Sequence, residues 1–81
     1  MSRCALVFQS IHHVLAAEAL LKDAGLEIDV IPVPREVSPN CGMAVEFVCE
    51  QKADVLGAVA DLEDRIVGAY RLKGRFFLKM E

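Results

Sequence analysis

Residues Arg3–Phe8 form a short apolar run, too brief for a helix, and predict a buried strand. From Ile11 onward the apolar positions Val14, Leu15, Ala19 and Leu21 follow helical spacing, interrupted by Glu18, Lys22 and Asp23. Ser10 stands where an N-cap is expected, and Gly25 is a natural helix stop. Glu27–Val33 alternates and predicts a second strand. Pro32 and Pro34 remove ladder donors there, which suits the edge of a sheet. Pro34–Gly42 holds Pro, Ser, Asn and Gly and reads as a loop. Met43–Cys49 alternates again as a third strand. Glu50–Leu62 predicts a second helix, with Ala53, Leu56, Val59 and Leu62 on one side and Gly57 weakening it. Arg65–Leu72 predicts the fourth strand.

The order β-α-β-β-α-β points to a single α+β domain over residues 1–81 of the ferredoxin-like type. That arrangement implies a four-stranded antiparallel sheet in the order 4-1-3-2, with two helices on one face. It places the Pro34–Gly42 loop and the Gln9-Ser10 turn at one end of the sheet. The start of strand 1 and the end of strand 3 share the other end.

Composition narrows the class. With 81 residues the chain has room for one small domain. A hydrophobic fraction of 54% excludes a disordered chain and leads us to expect self-association as a homo-oligomer. No apolar run approaches a membrane span, and the run after Met1-Ser2-Arg3 is too short for a signal-peptide core. A mature, cytoplasmic protein without membrane contact is therefore expected. A net charge of −3 argues against nucleic acid as the main partner. The local exception is the end of the chain, where Arg71, Lys73, Arg75 and Lys79 face only Glu81. Residues 72–81 read as a strand-4 extension after a Gly74 kink, with Phe76, Phe77 and Leu78 packing on the sheet or on a partner chain. Alternating basic and aromatic residues also fit an RNA contact.

Three cysteines without C-x-x-C spacing argue against a disulfide scaffold and a closed zinc site. The expected strand order divides them. Cys4 and Cys49 fall near each other at one end and read as buried core residues, since free thiols are the cytosolic default; a disulfide between them is the geometrically possible alternative. Cys41 falls in the loop before strand 3, facing the start of the first helix near Ser10, His12 and His13. Helix N-termini, Arg and His⁺ all favour a thiolate, and Arg35 lies in the same loop. Gly42 permits close backbone approach, so the N–H groups around Cys41 can form an anion nest. Ser38 is a candidate anion contact or a turn-stabilising hydroxyl. A Cys41–His12 pair could be nucleophile and base, or half of a metal site lacking further ligands. Glu18 reads as a half-exposed carboxylate. No Gly-rich phosphate loop, metal-ligand cluster or carboxylate pair points to an ordinary enzyme or to a bound cofactor.

The segments "PVPREVSPNCG" (Pro32–Gly42) and "FQSIHHVLAAEALLKDAG" (Phe8–Gly25) together resemble a family of small bacterial selenium/sulfur carrier-like proteins. The matching positions are Ser10, His12, Ala17-Glu18, Pro32, Pro34, Arg35, Ser38, Cys41 and Gly42, while Ile11 stands where the family has Thr. The resemblance implies a ferredoxin-like domain with a functional Cys41.

The leading reading is a carrier, rather than a turnover enzyme, that holds reduced selenium or sulfur on Cys41. Such a protein needs an exposed nucleophilic sulfur, donors for an anion (Arg35, Ser38, Gly42, Ser10) and a loop open to donor and acceptor proteins. Its only cofactor would be the covalently carried chalcogen. The alternatives are an interaction or regulatory module in which Cys41 is structural, and an RNA binder using the basic tail.

Overall fold

Arg3–Phe8 forms strand β1, and every residue of it except Arg3 is buried. In the computed structural model, which describes residues 2–80, β1 is followed by helix α1 (Ile11–Asp23), β2 (Asp29–Pro32) and β3 (Met43–Val48). Helix α2 (Lys52–Ala58) lies between 3-10 turns at Cys49–Gln51 and Ala60–Arg65. Strands β4 (Ile66–Lys73) and β5 (Phe76–Lys79) complete the chain. The five strands make one sheet in the order β2-β3-β1-β4-β5, with every neighbouring pair antiparallel.

The expected ferredoxin-like sheet of order 4-1-3-2 is thus corrected. Its pairs β1–β3, β1–β4 and β2–β3 are present, but the basic tail adds a fifth strand. The cause is local. Gly74 takes a φ of 60°, and glycine at the first central position of a two-residue hairpin turn matches the strand twist. The tail therefore reverses and pairs with β4 instead of prolonging it. Glu81 and Met1, which the sequence reading also used, lie outside the described residues.

The second helix is also shorter than the expected Glu50–Leu62. Its last turn ends near Gly57, a poor helix former. Asp61, Glu63 and Asp64 would add negative charge where the helix dipole is already negative. The chain tightens there, with the Leu62 N–H donating to Val59 O at 2.8 Å.

The alternation of β1 and β3 buries two faces. Leu6, Phe8, Val45 and Phe47 meet Val14, Ala17 and Leu21 of α1 and Val55 of α2, so both helices cover one face. Each Val, Leu or Phe side chain among these contributes about 1.5–3 kcal/mol when fully buried. Ala5, Val7 and Ala44 form a second cluster on the opposite face, under Ile31, Val33, Val37, Tyr70, Leu72 and Phe77. No helix among the described residues is long and apolar enough to cross a membrane.

Candidate functional site

The loop between β2 and β3 is built around Pro34 and Ser38. The N–H groups of Val37 and Ser38 both donate to Pro34 O, at 2.9 and 3.1 Å, closing a tight turn. Ser38 is buried, and its hydroxyl oxygen accepts the Cys41 N–H at 3.3 Å. Val33 N–H donates to Gly42 O at 3.0 Å, which ties the two ends of the loop together. Gly42 takes a φ of 73°, and a Cβ placed there would meet nothing within 4 Å. The expected close backbone approach at Gly42 is therefore not the reason for glycine; the left-handed conformation is.

This frame sets Cys41 half-buried against the helix-side core. Its S–H donates to Met43 O at 3.3 Å. Cys41 lines an open hollow of about 380 Å³ with Val33, Arg35, Ser38, Pro39, Asn40 and Gly42. Arg35 is exposed, and among the described residues no carboxylate lies within 4.0 Å of it. Pro39, Asn40 and the Met43 carbonyl are neighbours that the sequence reading did not assign. The loop position of Pro39 and Asn40 was the only signal for them.

Four of the expected residues, Arg35, Ser38, Cys41 and Gly42, thus share one hollow. Ser10, His12 and His13 do not line it. Ser10 occupies the N-cap position of α1 but makes no side-chain cap bond. Its hydroxyl lies 2.8 Å from His13 Nδ1 instead, so the expected capping is replaced by a hydroxyl–imidazole pair. His12 is exposed on the first turn of α1. Glu18 pairs with Lys22 one turn on, at 3.2 Å.

Cys4 and Cys49 are joined in a disulfide, with Cα atoms 5.1 Å apart. The expectation of two free core thiols is corrected. The register explains it: Cys4 pairs with Phe47 and Arg3 with Val48, so the residue after β3 turns toward β1. Cys41 is left as the free cysteine. A larger hollow, of about 590 Å³, lies beside Arg3, Glu46 and Arg71 and contains no cysteine.

The chemistry available at the loop is that of a free cysteine sharing an open hollow with Arg35, which among the described residues has no carboxylate within 4.0 Å. Among the described residues no group of three or more His, Cys, Asp or Glu could hold a metal ion. Residues 3–71 match the family model described as "Putative Se/S carrier protein-like". No curated protein and no solved structure matches the chain.

Proposed function

We propose, from the premise that this chain belongs to the Se/S carrier protein-like family, that Cys41 carries reduced selenium or sulfur and delivers it to a partner enzyme. The observation that carries this reading is that the free cysteine shares its hollow with Arg35, Ser38 and Gly42. A carried persulfide or perselenide is a polarisable anion, and Arg35 presents a planar fork of donors to it. The hollow is open, which suits handover between proteins rather than turnover of a small substrate.

The step is a sulfur-transfer exchange. The Cys41 thiolate attacks the outer sulfur of a donor persulfide. A new S–S bond forms at Cys41, the donor's S–S bond breaks, and the donor leaves as its thiolate. An acceptor nucleophile then removes the outer sulfur and Cys41 departs as thiolate. The two exchanges need no external oxidant or reductant. Loading ends the S–H bond to the Met43 carbonyl, because the modified sulfur no longer carries that proton. A terminal anion also avoids a carbonyl oxygen, so the loaded group turns toward Arg35. His12 and Ser10 lie outside the hollow, and this exchange requires neither.

Mass spectrometry after incubation with cysteine persulfide tests the reading. One added sulfur atom, located at Cys41 and lost in Cys41→Ser, is the expected result. An adduct that persists at full level in Cys41→Ser overturns it. Arg35→Gln should load but release the sulfur faster to a competing thiol.

A further inference from the structure

The two edges of the sheet are not equivalent. At the β2 edge, the Val33 N–H bonds inward to Gly42 O. Antiparallel alternation then directs Ile31 and Asp29 inward as well, and Val30, Pro32 and Pro34 outward. Two of the three outward positions are prolines and have no N–H to offer. That edge is blocked against another strand.

The β5 edge has no such block. The Met80 N–H bonds inward to Ala69 O at 2.9 Å. The register Arg71↔Leu78 and Lys73↔Phe76 makes Leu78 and Phe76 inward-bonding too. The N–H and C=O groups of Phe77 and Lys79 therefore face outward. Around this edge, Phe76 is 68% and Leu78 48% exposed. Phe77 lines a groove with Ile31, Val33, Pro34 and Leu72, flanked by Glu46 and Arg75, on the sheet face opposite the helices.

Charge decides what fits this edge. Residues 66–80 hold four of the nine Lys and Arg (Arg71, Lys73, Arg75 and Lys79) and none of the twelve Asp and Glu; Glu81 follows them. Edge-to-edge pairing of two copies would set these cations against each other, and exposed cations are a known means of preventing such self-pairing. The same cations attract an acidic strand. The exposed apolar side chains and the ordered amides favour a polypeptide over a phosphate backbone.

We infer that the β5 edge is a docking site for an extended acidic segment of a partner protein, which adds as a sixth strand beside Phe77 and Lys79. The main-chain groups of Phe77 and Lys79 supply the ladder. On one side of the added strand, alternate apolar side chains enter the groove beside Phe77. On the other, its carboxylates meet Arg71 and Lys73, which the register places on the same face as Leu78 and Phe76. The groove shares Val33 with the Cys41 hollow, but the ladder groups of Phe77 and Lys79 take no part in the chemistry assigned to Cys41, so this inference does not depend on it.

Amide hydrogen exchange on the full chain tests it, with a synthetic peptide in which Glu alternates with Val as the probe. The expected result is slowed exchange at Phe77 and Lys79; in Lys79→Pro the protection of Phe77 is lost, while Lys79→Gln retains it at both positions. Lys79→Pro removes an outward N–H and leaves the inward bonds of Leu78 and Met80 in place. Reversing Arg71, Lys73 and Arg75 to Glu should weaken binding roughly tenfold, the scale expected for losing exposed charge contacts. Three outcomes overturn the inference. In the first, the peptide leaves exchange at Phe77 and Lys79 unchanged. In the second, a uridine oligonucleotide protects them in its place. In the third, the protein alone protects them in a concentration-dependent way, which would assign the edge to a second copy.

Discussion

The Ser38 hydroxyl accepts the Cys41 backbone N–H at 3.3 Å, so the free cysteine is hung from a buried side chain of its own loop. A buried hydroxyl in that position serves the backbone first. Its proton stays available for a further acceptor.

Ser38→Ala should leave the Cys41 N–H without its partner and cost about 1–3 kcal/mol. Urea denaturation reads the stability, and amide exchange at Cys41 should quicken selectively. Unchanged exchange at Cys41 would show that the loop is held by other contacts.

Native alkylation with iodoacetamide should label Cys41 alone. Cys4 is fully buried and bonded to Cys49, whereas Cys41 lies at an open rim. A single adduct that vanishes in Cys41→Ser is expected; labelling of Cys4 or Cys49 without prior reduction would contradict the pairing.

Reduction with dithiothreitol should lower the unfolding free energy. The Cys4–Cys49 bond closes a loop of sequence separation 45, for which chain entropy gives about 4 kcal/mol. Comparing denaturation of the oxidised protein with that of Cys4→Ala/Cys49→Ala checks the magnitude. A double variant as stable as the oxidised chain would mean that the bond adds nothing.

Gly42→Ala should destabilise by about 1–2 kcal/mol, because a Cβ is disfavoured at a φ of 73° even where nothing crowds it. Gly42→Asn should cost less, since Asn visits that region more readily. Equal losses in the two variants would point to an unseen steric neighbour.

Arg3→Met should cost more than Glu46→Gln. Asp29 and Glu46 sit opposite each other on β2 and β3, and the Arg3 guanidinium lies 3.5 and 2.8 Å from their carboxylates. Removing Arg3 leaves two like charges facing each other, whereas removing the Glu46 charge leaves one exposed pair. Differences of about 0.2–1 kcal/mol are expected, resolvable by parallel urea titrations at low salt.

Much of this was legible in the sequence, for identifiable reasons. The periodicity of Val14, Ala17 and Leu21 and the stop at Gly25 mark α1, whose end is closed by Gly25 N–H to Lys22 O and Leu26 N–H to Leu21 O. Pro32 and Pro34 mark an edge strand, and β2 is one. The segment Pro34–Gly42 carries its own geometry in Pro34, Ser38 and Gly42, so residues close in sequence stay close around Cys41. Less legible were the positions set by competition between distant groups. Ser10 has two partners within reach, its helix and the His13 ring, and local pattern cannot choose between them. The second helix reads as continuous because its apolar spacing persists past Gly57, while backbone propensity and terminal charge end it earlier.

By itself, the sequence determined the alternation of strands and helices, the loop that holds Cys41 and the concentration of cations near the C-terminus. Short-range physics sets all three: side-chain periodicity, turn chemistry and composition. Only the tertiary structure decided that Cys4 and Cys49, already neighbours in the expected strand order, join in a disulfide, that His12 stays outside the Cys41 hollow and that the tail returns as β5. Those outcomes depend on strand register and on which long-range pairs satisfy the backbone, and neither is encoded in any single segment.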